Sequence, residues 1–146
     1  HRLVAVCLMF GLAACAPAPS APDVVTDADP ASAFPAEAFE VFIERFGREI
    51  AFQELTTADP LAVERYDTAA QPEPRLVAEE VDLADVVWPV MPRLDLIEDS
   101  RTYDIEHIAD GHMEVQIRTP DTGDQHRYIF GQSPCWQLQR VVHGSI

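Results

Sequence analysis

Tyr103-Asp104-Ile105-Glu106-His107-Ile108-Ala109-Asp110-Gly111-His112-Met113-Glu114-Val115-Gln116-Ile117 is the stretch whose reading decides the fold. Apolar and polar side chains alternate on either side of an Asp-Gly pair, the pattern of two half-buried strands joined by a tight turn. A two-residue turn at Asp110-Gly111 would pair Ile105 with Gln116 and mix apolar with polar on each face. A three-residue turn, with Gly111 left-handed in a bulge, instead pairs Tyr103 with Ile117, Ile105 with Val115 and His107 with Met113. Like then meets like, which selects the second register.

The same rule extends the sheet toward the C-terminus. Tyr128-Ile129-Phe130 and the run from Trp136 through Leu138 to Val142 are the next strands. Across the Thr119 to Asp124 loop, Ile117 meets His126, Val115 meets Tyr128 and Met113 meets Phe130. Across Gln132-Ser133-Pro134, the pattern predicts Phe130 beside Trp136, Tyr128 beside Leu138 and His126 beside Arg140. Two inner rows are then largely apolar: Ile105, Val115, Tyr128, Leu138, and His107, Met113, Phe130, Trp136. The third, Tyr103, Ile117, His126, Arg140, gathers three polar side chains at one end. The other face carries Asp104, Glu106, Glu114, Gln116, Arg118, Arg127, Gln137 and Gln139 and is polar throughout.

Upstream the period changes from two to between three and four. Phe39, Phe42, Ile43, Phe46 and Ile50 form one helical stripe, with Glu37 and Glu40 suited to its N-terminus. Gly47 ends or bends that helix before Glu49 to Leu55, and Pro60 breaks the run. Leu61 to Tyr66 and Arg75 to Val81 read as strands flanking a Gln-Pro-Glu-Pro loop. Asp82 is the expected N-cap of a short helix that Pro89 and Pro92 close. The fold class is therefore α+β: N-terminal helices packed on a curved antiparallel sheet.

Residues 15–35 are rich in Ala, Pro, Asp and Ser and poor in large apolar side chains, so they read as a disordered tether reaching roughly 60 Å at most. Residues 36–146 are long enough for one α+β domain with a single core. The apolar run Leu3 to Leu12 is about ten residues, half of the about 20 needed to cross a bilayer. With Arg2 before it and small residues after it, it fits a secretory signal over residues 1–14.

That segment ends in Leu12-Ala13-Ala14-Cys15, which resembles a bacterial lipoprotein signal peptide with its lipobox. The resemblance implies cleavage before Cys15, acylation of Cys15, and a protein anchored to a membrane through its N-terminal lipid. Ala16 after the cysteine, where an Asp would imply inner-membrane retention, points to the outer membrane, facing the periplasm. With Cys7 lost and Cys15 lipidated, no intramolecular disulfide is expected. Cys135, outside any catalytic motif, reads as a structural thiol rather than a nucleophile.

Helices followed by a long antiparallel sheet resemble the cone fold of nuclear transport factor two and the cystatin-like group. A closer likeness is to a family of bacterial lipoproteins catalogued as a domain of unknown function. Phe42 and Phe46, Phe52-Gln53, Pro60-Leu61, Trp88, Tyr128 and Phe130, and Trp136-x-Leu138 carry it, across most of Phe39 to Val142. It implies a fold and a cell-envelope location, and transfers no catalytic residue.

Composition narrows the partners. The chain has ten basic residues, all arginine, against 25 acidic ones, a formal net charge of −15. Such a surface repels phosphate backbones, which excludes nucleic acid as a partner. No cofactor is implied. His107, His112, His126 and His143 alternate between faces, so no metal site is expected. His107 reads as a core histidine, Glu79-Glu80 and Asp82 as solvated surface, and Ser133 and Ser145 lack a nucleophile-elbow context.

One ligand pocket can be placed with a reason: Tyr103, His126 and Arg140, with Tyr128 and Trp136 beside them. The leading expectation is non-catalytic binding of a small molecule or an envelope protein. The alternative is a dehydratase- or isomerase-like enzyme, in which Arg140 holds a carboxylate and His126 exchanges a proton. A third reading, a periplasmic adaptor or inhibitor, would expose an apolar patch on the outer face at Ile108, Ile129 and Val141.

Overall fold

The computed structural model describes residues 36–132 and 135–144. The signal, Cys15 and the tether lie outside the described residues. Two helices, α1 (Ala36–Phe46) and α2 (Ile50–Leu55), precede six strands: β1 (Thr57–Asp67), β2 (Arg75–Val81), β3 (Thr102–Ala109), β4 (His112–Arg118), β5 (Gln125–Gln132) and β6 (Trp136–His143). They form one curved sheet in the order β2-β1-β6-β5-β4-β3. All neighbours are antiparallel except β1 and β6, which run parallel. The sheet is thus mixed rather than purely antiparallel. Parallel neighbours need a long crossover, and here the first and last strands meet at mid-sheet.

The helical stripe covers the inner face. Phe39 and Phe46 are fully buried, and their rings lie 5.4 and 5.1 Å from that of Phe130. Phe42 sits among Phe39, Phe46, Phe52 and Phe130, with centroids 5.5 to 5.9 Å apart. These are favoured tilted and edge-on distances. Val115, Ile117, Tyr128, Leu138 and Val141 complete the core from the sheet side.

Gln53 fastens the helices to the long connection between β2 and β3. It is 1 % exposed. Its Nε2 donates to the carbonyls of Phe46 and Met91 at 2.9 and 3.1 Å, and its Oε1 accepts from the Val90 amide at 2.9 Å. A buried amide side chain here satisfies three backbone groups that no strand or helix pairs.

The β3–β4 and β4–β5 registers are those that the alternation predicts: Tyr103 opposite Ile117, Ile105 opposite Val115, Ile117 opposite His126, Val115 opposite Tyr128. Gly111 has φ +67°, the left-handed conformation required of it. The irregularity sits between His107 and Ala109, and Ala109 pairs with His112 across Asp110-Gly111.

The β5–β6 register differs from the expectation. Phe130 lies opposite Leu138 rather than Trp136, Tyr128 opposite Val141 rather than Leu138, and His126 opposite His143 rather than Arg140. Two effects account for this. The pairing starts one residue later, with Gln132 itself paired to Trp136, and Gln139 is inserted as a one-residue bulge between the Phe130 and Ile129 pairs. An extra residue reverses the face of everything beyond it. Gly131 supports the bulge: a Cβ there would fall 2.4 Å from the Gln139 side chain.

Smaller corrections follow from local chemistry. Pro60 does not break the chain but lies inside β1, where the pairing with β6 shifts register between Thr57 and Ala62. Asp82 precedes the 3-10 turn Leu83–Asp85 but makes no capping bond; the Leu83 amide donates to Asp59 Oδ1 at 3.0 Å instead. His107 is exposed, because β3 is an edge strand with all eight residues exposed. Val141 is core rather than outer surface, carried inward by the bulge. Cys135 is disulfide-bonded, contrary to the expectation of no such bond, and its partner lies outside the described residues.

Candidate functional site

The five residues proposed to line a pocket fall in four different places. Tyr128 and Trp136 belong to the core: Tyr128 is 4 % exposed, and the Trp136 ring packs 4.9 Å from Phe39. Burial pushes the Tyr128 hydroxyl up to about 12, with Arg101 pulling it down and Asp124 pushing it further up. That phenol stays protonated at neutral pH.

Arg140 leaves the inner face. Opposite Ile129, it shares the side of the sheet that Tyr128 and Phe130 do not occupy. Its guanidinium lies 3.7 Å from Glu64 Oε1 in a half-exposed ion pair. Tyr103 and His126 do share a row, but the strand carrying Ile117 runs between them. Two interstrand steps put their backbones about 10 Å apart. Tyr103, His126 and Arg140 therefore do not converge.

What faces His126 is His143, the residue that takes the place expected of Arg140. The two Nδ1 atoms are 2.9 Å apart, with the rings edge-on. His126 Nε2 lies 3.2 Å from Asp124 Oδ1. Asp124 Oδ2 also accepts from Arg101 Nη2 at 3.1 Å and from Thr119 Oγ1 at 2.8 Å. One of the two Nδ1 atoms donates and the other accepts, so the two rings are not both doubly protonated. The His143 pKa is lowered, first by burial and then by the nearby His126 and Arg65, which keeps it neutral. This Asp-His-His chain ties the end of β6 to the β4–β5 loop. It lines neither of the two concave sites described below.

One concavity lies where α1 passes the open edge of the sheet. A groove of about 380 Å³ is bounded by Glu40, Ile43, Glu44, Gly47 and Arg48 of α1 and its end, by Leu94 and Asp95, and by Tyr103 and Ile105 of β3. Ile43, Leu94, Ile105 and the Tyr103 ring make an apolar floor. Glu44 and Arg48 pair at 3.2 Å, and Asp95 pairs with Arg93 at 2.6 Å. The hydrogen bond from Arg93 holds the Asp95 carboxyl below its usual range. Glu40, Glu44 and Asp95 against Arg48 and Arg93 leave the rim one negative charge in excess. Tyr103 and Ile105 remain 44 % and 36 % exposed although they lie on the core-facing side. A second site of about 400 Å³ involves Thr102, Arg118 and the Thr119–Thr122 loop.

Of the predicted pocket, the groove retains Tyr103 alone. Its other members were legible only as core or surface residues: Ile43 belongs to the helical stripe, while Leu94 and Asp95 carry no periodic signal. His143 escaped notice because one bulged residue decides its face. On the outer side of the sheet, Glu114 is buried and accepts from Arg127 Nη2 at 2.7 Å, which raises the Arg127 pKa. Among the described residues no group of His, Cys, Asp and Glu is arranged to hold a metal ion, and no helix is long and apolar enough to cross a membrane.

No family model matches the chain, and no curated protein does. Among solved structures it is similar to an NTF2-like protein of Bacteroides fragilis, with a TM-score of 0.52 and 16 % sequence identity. The match covers 72 % of this chain and 46 % of that one, so the chain spans about half the length of its neighbour. At such identity the likeness bears on the path of the backbone and not on chemistry. In its fold, helices laid across a curved α+β sheet, the chain is similar to NTF2-like proteins, those of the nuclear transport factor two type.

Proposed function

We propose that this chain is a lipid-anchored protein of the bacterial cell envelope whose NTF2-like domain works by non-catalytic binding in the groove between α1 and β3. The carrying observation is the exposure of Tyr103 and Ile105 over an apolar floor beside an acidic rim, on the face whose other apolar residues are buried. Binding sites combine an apolar floor with a few polar groups in this way. The groove presents no paired acid and base, nucleophile or oxyanion donor that would make it a site of reaction. Anchoring rests on Leu12-Ala13-Ala14-Cys15 and the tether that follows it, with the outer membrane, facing the periplasm, as the destination. The net charge of −15 disfavours nucleic acid and anionic lipid headgroups as ligands.

Two measurements test this. Mass spectrometry of the membrane-extracted protein should find a diacylglyceryl group on the Cys15 sulfur. Neither Cys7 nor Cys15, the other two cysteines of the chain, can pair with Cys135 in a protein cleaved before an acylated Cys15, so a Cys7–Cys135 or Cys15–Cys135 peptide overturns the anchor. For the groove, a photo-crosslinking residue at Tyr103 should yield an adduct in cells, while one at Gln137 on the outer face should not. Absence of any Tyr103 adduct removes the groove as a binding site.

A further inference from the structure

Beside the groove lies an edge that nothing in the described fold covers. β3 is the terminal strand of the sheet, and every residue from Thr102 to Ala109 is exposed. Its side away from β4 presents a row of backbone N–H and C=O groups with no strand partner among the described residues. Such an edge is a template for another strand, and proteins commonly blunt it with proline, inward charges or a covering segment. Here β3 has no proline and runs eight residues.

The charges around this edge restrict what can pair with it. Glu40, Glu44 and Asp95 stand on the groove side, and Asp104 and Glu106 on the opposite face of β3. Arg48, Arg93 and Arg118 are already engaged by Glu44, Asp95 and Asp104. A second copy of β3 would set Asp104 and Glu106 against their own kind. The tether preceding α1 is acidic and rich in proline, a poor ladder partner on both counts. With those pairs balanced, Glu40 on the groove side and Glu106 on the opposite face leave one negative charge in excess on each, so a strand with cationic side chains meets opposite charge on both faces.

We propose that the open edge of β3 takes up an extended basic peptide segment of a partner protein as a seventh strand, with alternate apolar side chains lying over the groove beside α1. This rests on the reading of the groove as a binding site and names its occupant. Affinity then comes from the backbone ladder, and selectivity from Ile43, Leu94, Tyr103 and Ile105 for apolar positions and from the acidic rim for Lys or Arg. The peptide runs along Thr102–Ala109.

The test uses the full chain and a fluorescent decapeptide alternating lysine with valine. Anisotropy should show saturable binding that weakens as salt rises. A glutamate–valine decapeptide should bind at least tenfold more weakly, and so should the lysine–valine peptide with every backbone amide N-methylated, which keeps charge but cannot form a ladder. Hydrogen exchange should show added protection at β3 amides. The exposed-site variant Tyr103→Ser should lose several-fold affinity with its circular dichroism unchanged. Failure of the lysine–valine peptide to bind, equal binding of the N-methylated form, or a dimer built through β3 overturns the proposal. A small-molecule adduct at Tyr103 in cells, with no peptide binding, would overturn the peptide while leaving the groove as a binding site; no adduct at all would remove both.

Discussion

Gln53 shows how much of this fold hangs on a single amide. Its three hydrogen bonds join the end of α1, α2 and the Val90–Met91 segment, which travels from one edge of the sheet to the other. Replacing it by leucine keeps the volume but leaves two carbonyls and an amide buried without partners. At ~1–3 kcal/mol for an orphaned buried group, Gln53→Leu should cost about 3 kcal/mol in a urea denaturation series. Gln53→Glu retains the acceptor for Val90 but loses both donated bonds, and should be destabilised as well. At the other end of the sheet, the His126–His143 contact needs one Nδ1 to donate and the other, on a neutral ring, to accept. The folded state lowers the His143 pKa below 6.5, so it favours the neutral ring. That contribution is present in full above pH 6.5 and is lost as the pH falls through the depressed folded value. Thermal midpoints followed from pH 7.5 down to pH 5 should therefore fall more steeply for the wild type than for His143→Gln. Parallel slopes would show that the pair does not couple to folding.

At the scale of elements, α1 holds through its aromatic stripe. Phe39 touches Phe42, Phe130 and Trp136 and is fully buried. Phe39→Ala should cost ~3–5 kcal/mol, the range for emptying a buried aromatic site, read as a lowered denaturation midpoint. This helix was legible, since Phe39, Phe42, Ile43 and Phe46 at three- and four-residue spacing specify both its period and its buried face, whereas Ile50, read into the same stripe, begins α2 and is exposed. Strands β3, β4 and β5 were legible in register for a similar reason: alternation leaves one choice that puts like with like. Strand β6 was not. Its apolar residues, Leu138, Val141 and Val142, break strict alternation, and only the Gln139 bulge reconciles them with a single inward face up to Val141. A bulge is settled by tertiary packing, here by room above Gly131, and leaves no local composition signal. Deleting Gln139 should remove the bulge and leave Arg140 opposite Ile129 and His143 opposite His126, so the variant should keep a cooperative thermal transition, whereas inserting a second residue beside Gln139 should turn Arg140 toward the core and abolish that transition. The candidate site shared that fate, because its membership depended on the faces of β6. Tyr103, placed by the secure β3–β4 register, stayed with the groove, whereas Arg140 did not. The groove's far wall, Leu94 and Asp95, comes from a non-repetitive connection whose path no pattern specifies.

Across the whole molecule, charge sets the behaviour. A net charge of −15 on 146 residues repels itself in the compact state. Raising sodium chloride from about 10 mM to about 0.5 M shortens the screening length from ~30 Å to well under 10 Å. The thermal midpoint should rise over that range, and a flat or falling midpoint would mean that the surface ion pairs outweigh the repulsion. The parallel meeting of β1 with β6 has a different kind of consequence, one of timing. The pair at the middle of the sheet joins Ala62 with Arg140 and Val63 with Val141, residues nearly eighty positions apart. Until β6 has been synthesised, β1 and β2 on one side and β3, β4 and β5 on the other have no strand between them. Contacts of such separation are slow to form, and domains fold as units once their parts are present. During synthesis the nascent domain should thus stay unpacked and protease-sensitive until β6 leaves the ribosome.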